Sequence, residues 1–134
     1  MDQFKSINDR YGHMIGDQLL VKIGQILNRF NERYQSIAAR TGGDEFVLAW
    51  PNQSLNTIQP LLRLIIEDIN IQAVVTDTQT VAGCTCSIGA VDIRVSKEKD
   101  LNAALAMADR ALYQAKAKGG NHIEVATPMM AAKS

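Results

Sequence analysis

The 134-residue sequence has little cysteine, no excess of charge of either sign and no long apolar run. Its two cysteines, Cys84 and Cys86, cannot build a disulfide framework, and two thiols alone cannot complete a zinc site. Fourteen Lys and Arg balance fourteen Asp and Glu, so no overall field favours nucleic acid or an anionic membrane. The apolar stretch at 61–66 is broken by Arg63, far short of the roughly 20 residues of a bilayer span. These absences favour a soluble, cytoplasmic domain without membrane contact.

The composition that remains is that of one globular domain. Hydrophobic residues make up 46% of the sequence and charged residues 21%, which are ordinary values for a folded protein. A chain of this length suits a single core. We expect residues 1–126 to form the domain and residues 127–134 to be a disordered tail.

The spacing of apolar residues predicts four helices and a β-hairpin. The helices are expected over residues 2–11, 17–31 with Asp17 as the N-cap, 54–70, and from Leu101 to Gly119. The hairpin is expected from 37–40 and 45–50, further strands at 81–93 and 122–125, and either an edge strand or a loop at 72–80. Cys84 and Cys86, two apart on a strand, should share its core-facing side. This pattern predicts an α+β fold with an antiparallel-type sheet flanked by helices.

Three polar segments carry the functional signal. Residues 4–17 contain Phe-Lys, an Asn and Gly-His-x-x-Gly-Asp, residues 40–46 read Arg-Thr-Gly-Gly-Asp-Glu-Phe, and residues 108–121 contain Ala-Asp-Arg-Ala-Leu-Tyr-Gln-Ala-Lys and Gly-Gly-Asn. In this order the segments resemble the GGDEF family of diguanylate cyclases, over almost the whole chain. The resemblance implies a fold similar to nucleotide cyclase and polymerase palm domains.

The paired glycines Gly42 and Gly43 allow a turn with positive φ and no side chain above it, so a nucleotide can approach closely. Magnesium prefers oxygen ligands and takes one or two carboxylates with phosphate and water. The resemblance implies that Asp44 and the backbone carbonyl of Met1 bind the cation, Mg²⁺ or Mn²⁺. It also implies that Glu45 assists the metal or the attacking hydroxyl. The alternative is that both acids only make the turn polar.

Guanine presents two adjacent N–H donors that a carboxylate can accept together, and an amide can both donate and accept. By resemblance, Asn8 and Asp17 read the base. The Phe4 backbone, Lys5 and Lys116 are expected to bind the phosphates of GTP. The alternatives are that Asp17 only caps the second helix, that Asn8 faces solvent, and that Lys116 is a solvated charge complementing the helix dipole.

His13 and Arg40 are expected to have structural roles. No Cys, Ser or second His accompanies His13 in a nucleophile pattern, so we expect it to form hydrogen bonds between the first two helices. Arg40 is expected only to flank the glycine turn.

The sequence departs from the family pattern at three places. The family has an acid-x-acid pair before Phe-Lys, at the end of a central strand, and only Asp2 matches it. The first acid and its strand are therefore expected to precede residue 1 or to come from another chain. Gly120 replaces a phosphate-binding arginine. Arg33 is followed by Ser36 instead of the acid of the inhibitory Arg-x-x-Asp site, so no product inhibition is expected there.

The resemblance implies a diguanylate cyclase domain that condenses two GTP molecules into cyclic di-GMP and two pyrophosphates. A homodimer would bring two GTP molecules together, and a fused or partner sensory domain would regulate it. The alternative is a degenerate GTP- or cyclic di-GMP-binding module without catalysis, which Gly120 and the absent acid favour. For the same reasons, this segment alone is expected to be weakly active or inactive.

Overall fold

The computed structural model describes residue 2 and residues 4–71, 74–75, 81–92 and 98–126. Met1, the expected tail at 127–134 and most of 72–80 lie outside these residues. The helices are α1 (Phe4–Tyr11), α2 (His13–Tyr34), α3 (Leu55–Asn70) and α4 (Glu98–Ala117). The strands are β1 (Ile37–Gly42), β2 (Glu45–Ala49), β3 (Val74–Val75), β4 (Val81–Ala82), β5 (Ile88–Val91) and β6 (Ile123–Ala126).

The first two helices are joined by a single residue, Gly12. It adopts a φ of +91° at the end of α1 and takes the N-cap position of α2 without a side-chain hydrogen bond. Because α2 begins at His13, Asp17 lies inside the helix, and the prediction that Asp17 is the N-cap was wrong. At the other end, Gln35 stops α2 in a left-handed conformation with φ +56°.

The hairpin predicted around the paired glycines is confirmed. β1 and β2 are antiparallel, with Gly42 opposite Glu45 at the turn. The register shifts between Arg40 and Gly42, which places one extra residue on β1 just before the turn. Arg40 Nε donates a hydrogen bond of 2.8 Å to the Gly43 carbonyl, so Arg40 fastens the turn as well as flanking it.

The strand predicted over residues 81–93 is divided in two. Its first part, β4, pairs antiparallel with β3, whereas β5 pairs in parallel with β6, which follows α4. α4 packs closely on β5 because Gly89 has no side chain: a Cβ there would overlap the Ala108 carbonyl oxygen and the Leu112 backbone. In the described ranges the strands form three separate two-stranded pairs.

The core lies between the helices and the strands. Its largest cluster joins apolar residues of α1, α2 and α3 to Cys86, and Leu19, Ile23 and Ile26 are its most deeply buried large side chains. Cys84 packs on the same cluster, as expected, although the segment between β4 and β5 is not a regular strand. The α+β class is confirmed. None of the helices that the structure describes is long and apolar enough to span a membrane.

Candidate functional site

The contact between α1 and α2 brings together the residues expected to read a base. The Asn8 side chain lies against Gly16 on α2, where a Cβ would overlap the Asn8 Oδ1 atom, and the Phe4 ring lies beside the same glycine. Gly16 is buried, whereas Asp17, the next residue, is exposed. The missing side chain at residue 16 thus allows the Asn8 amide to lie next to the part of α2 that carries Asp17.

The Asn8 side chain has an unused hydrogen-bond acceptor. Its Oδ1 atom is buried and has no hydrogen-bond partner in the described part of the chain. A buried acceptor without a donor costs about 1–3 kcal/mol, so an atom of this kind marks a place where water or a ligand group can bind. The N1–H and N2–H groups of guanine are donors of the required kind. The alternative that Asn8 simply faces solvent was wrong, because this oxygen is buried.

Asp44 and Glu45 lie at the tip of the hairpin with different exposures. Asp44 is half-buried and Glu45 is exposed. The Glu45 carbonyl accepts a hydrogen bond of 3.4 Å from the Thr41 hydroxyl, so the turn is held through the Glu45 backbone and the Glu45 carboxylate stays in solvent. Burial raises the pKa of Cys84 to about 11, and the negative charges of Asp2 and Asp44 add to this effect.

The donor groups at the hairpin suit a cation that is shared with a phosphate. No three His, Cys, Asp or Glu side chains come together as a metal cage within the ranges that the structure describes. Magnesium commonly takes one or two carboxylates and fills its other positions with phosphate and water. Asp44 is a half-buried carboxylate beside glycines with open space above them, and so fits this kind of site. Its metal-binding role stays a prediction.

Asp2 joins three separate parts of the chain. Its carboxylate accepts hydrogen bonds from Thr85 Oγ1 at 2.6 Å, from Ser87 Oγ at 2.7 Å and from Asn121 N–H at 2.7 Å. The Asp2 N–H donates to the Thr85 carbonyl at 2.9 Å. Burial by itself raises the pKa of Asp2, but the three donors more than offset it, so the pKa lies below its usual value. This buried carboxylate holds Asp2 against the segment before β5 and the turn after α4.

A cavity of about 890 Å³ lies between α1, the end of α3 and the turn after α4. Its volume is typical of pockets that take small ligands. The predicted phosphate contact Lys116 lines this cavity together with Gly120 and Asn121. Asn70 Nδ2 donates a hydrogen bond of 3.0 Å to Asn121 Oδ1, which ties α3 to the turn. Lys116 therefore borders a space that is large enough for a ligand.

Two residues singled out in the sequence, Lys5 and His13, are exposed and lie outside the cavity. Lys5 is exposed on α1 and does not line the cavity. His13 is exposed at the start of α2, and its side chain forms no hydrogen bond with the described residues. The expectation that His13 bonds the two helices together was therefore wrong. Gly12 connects the two helices through its backbone, because its N–H donates to the Asn8 carbonyl of α1 at 2.8 Å and its carbonyl accepts from the Gly16 N–H of α2 at 3.3 Å.

Of the two residues that form the inhibitory Arg-x-x-Asp site in the family, only the arginine is present in this chain. The Arg33 guanidinium lies over the Tyr34 ring, 5.5 Å from the ring centroid. Ser36 Oγ is hydrogen-bonded to Asn31 Oδ1. The serine hydroxyl is therefore used locally, and no carboxylate takes the place of the acid at residue 36.

Comparison with known proteins decides the family. Residues 1–122 match the family model described as "Diguanylate cyclase, GGDEF domain". The chain belongs to the GGDEF family. It is 36% identical over 121 residues to diguanylate cyclase DgcS of Shewanella oneidensis, which covers 90% of this chain and 38% of DgcS. It is 33% identical over 132 residues to the cyclic di-GMP phosphodiesterase PdeR of Escherichia coli, which covers 97% of this chain and 19% of PdeR. This GGDEF domain thus spans less than two fifths of either relative.

Two solved structures share the fold of this GGDEF domain. The GGDEF domain of DgcB from Caulobacter crescentus, in complex with cyclic di-GMP, has a TM-score of 0.82 and 27% identity, covering 93% of this chain and 70% of that chain. Diguanylate cyclase SiaD from Pseudomonas aeruginosa, in complex with its activator SiaC, has a TM-score of 0.83 and 30% identity, covering 93% of this chain and 46% of that chain. These similarities confirm the palm-type α+β architecture.

The hydrogen bonds of Asp2 in this GGDEF domain are not predicted by the sequence pattern. One signal was present in the sequence, because the hydroxyl residues Thr85 and Ser87 alternate with Cys84 and Cys86, which pack on the core. Their partner is 83 residues away from Thr85 along the chain. Only the fold brings that carboxylate to the hydroxyls.

Proposed function

We propose that this GGDEF domain binds GTP and, within the whole protein, forms a diguanylate cyclase that joins two GTP molecules into cyclic di-GMP. The Oδ1 atom of Asn8 carries the proposal, because it is a buried acceptor without a partner among the described residues, and an N–H donor of the guanine edge can satisfy it. Asp17 follows the glycine that Asn8 contacts, and its carboxylate can accept both guanine N–H groups. The name of the relative DgcS, a diguanylate cyclase, supports the same reaction.

The phosphates would lie between the start of α1 and the turn after α4. The first turn of α1 leaves the N–H groups of Phe4 and Lys5 without helical partners, and groups of this kind bind phosphate oxygens. Lys116 supplies a positive charge at the cavity wall. Asp44 would hold Mg²⁺ or Mn²⁺, which supplies positive charge to the reacting phosphate. Glu45, which is exposed, is available to support the cation or the attacking hydroxyl.

The reaction needs two nucleotide sites that face each other. The 3′ oxygen of one GTP bonds to the α phosphorus of the other, the bond between that phosphorus and the β-phosphate oxygen breaks, and pyrophosphate leaves. The proton of the 3′-hydroxyl passes to water. A second such step closes the cyclic product. Because one chain offers one such site, we expect a two-fold homodimer. The activator bound to SiaD supports a regulatory protein or domain as a further partner.

A second candidate function is a GTP- or cyclic di-GMP-binding module that regulates an attached domain without catalysis. Two observations favour it. Gly120 provides no charged side chain beside Lys116 in the cavity wall. The similarity to PdeR, which is named for a different reaction of cyclic di-GMP, covers nearly the whole of this chain.

Incubation of the full protein that contains this chain with GTP and Mg²⁺ separates the two functions. A cyclase should form cyclic di-GMP, and Asp44→Ala should lose at least about 100-fold in rate, because the ligand of the cation is removed. Glu32→Ala removes an exposed acid on α2 and should leave the rate unchanged. Protection by GTP or by cyclic di-GMP against thermal unfolding, without product, supports the binding module. The absence of product together with the absence of protection by either nucleotide would contradict both functions.

A further inference from the structure

The cavity beside α1 is lined by a cationic side chain, Arg10, in addition to the predicted phosphate contact Lys116. Its lining includes Arg10 from α1 and Lys116 from α4, and Asp2 is its one acidic residue among the described residues. The Asp2 carboxylate already accepts three hydrogen bonds, so its oxygens are directed at Thr85, Ser87 and Asn121. Neither Arg10 nor Lys116 forms an ion pair within the part of the chain that the structure describes. The cavity therefore suits an anion.

The turn after α4 cannot contribute a further cation from residue 120. Gly120 has a φ of +76°, a conformation that other residues rarely adopt. A Cβ at this position would lie 2.8 Å from Asp2 Oδ2 and 2.9 Å from Asp2 Cγ. That carboxylate is held by three donors and cannot move aside without breaking them. The backbone of the turn thus forms one wall of the cavity, and the cationic side chains come from α1 and α4.

Arg10 is held in place on α1. Its guanidinium carbon lies 5.3 Å from the centroid of the Tyr11 ring, a cation–π contact that restricts the side chain before any ligand binds. A guanidinium presents a planar set of N–H donors that matches two phosphate oxygens, whereas the Lys116 ammonium is a point charge. Arg10 therefore has both the chemistry and the position for a phosphate group.

The faces of α1 indicate how one nucleotide could reach both ends of the site. Asn8 lies on the face of α1 that contacts α2, whereas Ser6 and Arg10 lie on the face that lines the cavity. For one nucleotide to reach both, its base would contact Asn8 and its phosphates would cross the start of α1, where the N–H groups of Phe4 and Lys5 have no helical partners.

We propose that Arg10 binds the β- and γ-phosphates of the guanine nucleotide, together with Lys116, in the cavity between α1 and the turn after α4. The inference rests on the proposed GTP-binding function and assigns a contact that the family motifs do not. The terminal phosphates carry most of the charge of GTP. The loss of Arg10 should therefore weaken the binding of a guanine ligand more, the more phosphates that ligand carries.

Calorimetric titration of the chain with GTP, GDP and guanosine tests the inference. Arg10→Ala should weaken GTP binding about tenfold or more, weaken GDP binding less, and leave guanosine binding unchanged. Arg10→Lys keeps the charge but not the planar donors and should recover part of the loss. Arg33→Ala is the matched control, because Arg33 also lies over a tyrosine ring but is outside the cavity. Its affinities should equal those of the wild type.

The outcomes separate this inference from the proposed function. Unchanged GTP affinity in Arg10→Ala, with normal binding by the wild type, would overturn the inference and leave the function intact. An equal loss for GTP and guanosine would assign Arg10 a structural role and also overturn it. A wild-type chain that binds neither GTP nor guanosine would overturn the proposed function itself, and the inference with it.

Discussion

The side-chain amide of Asn8 occupies the space where a Cβ of Gly16 would lie. This contact joins α1 to α2 with only backbone on the α2 side. It also leaves the Asn8 Oδ1 atom buried and without a partner among the described residues, against the glycine that directly precedes Asp17. A side chain at residue 16 would therefore change the position of the Asn8 amide, and with it the candidate base site.

Gly16→Ala should separate helix stability from ligand binding. Alanine usually stabilises a helix by about 0.5–1 kcal/mol relative to glycine, but here its Cβ must displace the Asn8 amide. We expect no gain in the free energy of unfolding and at least a fivefold loss of guanosine affinity, measured by chemical denaturation and titration.

Gly24→Ala is the control for this prediction. Gly24 also lies in α2, and a Cβ there would meet no atom within 4 Å. This variant should gain about 0.5–1 kcal/mol in unfolding free energy and bind guanosine normally. Equal guanosine binding by Gly16→Ala and the wild type would show that the Asn8 amide does not contact the base.

Asp2→Asn should destabilise the fold in a pH-dependent way. The hydrogen bonds to the charged carboxylate are expected to contribute about 2 kcal/mol at pH 7. Because the folded-state pKa of Asp2 is lowered, this contribution is complete above the ordinary carboxyl pKa of about 4 and is lost as the pH falls through the folded value. Urea unfolding of both proteins should therefore give a difference that is largest near pH 7 and shrinks below about pH 4.

The control for Asp2 is Asp9→Asn, which neutralises an exposed carboxylate on α1. It should change the unfolding free energy by less than about 0.5 kcal/mol. A stability difference between Asp2→Asn and the wild type that stays constant from pH 7 to pH 3 would contradict the assigned role of the charged carboxylate.

The two thiols should react slowly in the folded chain. Burial raises the pKa of Cys84 from 9.0 to about 11 and that of Cys86 from 9.0 to about 12. Since the thiolate is the reactive form, its fraction at pH 8 is roughly 100-fold lower for Cys84 than in the unfolded chain. Iodoacetamide labelling at pH 8, followed by mass spectrometry, should be slow until guanidinium is added. Rapid labelling of both residues without denaturant would refute the burial of this segment.

Cyclic di-GMP should not act through Arg33. Its guanidinium contacts Tyr34, and Ser36 provides a hydroxyl where an acid would be required. Arg33→Ala should therefore leave any response to cyclic di-GMP unchanged, as measured by binding and by GTP turnover in the full protein. Ser36→Asp supplies the acid and should raise the affinity for cyclic di-GMP. Inhibition that disappears in Arg33→Ala would contradict this prediction.

The secondary structure was largely predictable because it depends on local patterns. Apolar spacing located α1, α3 and α4 within a few residues, and the paired glycines located the hairpin turn, which requires positive φ at Gly43. The start of α2 was misplaced because Asp17 is a good N-cap residue, whereas Gly12 ends α1 and begins α2 in a single step. A strand over 81–93 was too long, since apolar content does not reveal where a partner strand stops.

The sequence alone determined the family motifs, the helices and the hairpin, because each depends on residues that are neighbours along the chain. Tertiary structure decided the rest: the pairing of β5 with β6, the contact of Asn8 with Gly16, and the three hydrogen bonds of Asp2. The Asp2 contacts join residues more than 80 positions apart, and no local pattern records such a distance. They form because burying that carboxylate is favourable only where Thr85, Ser87 and Asn121 are already present to donate to it.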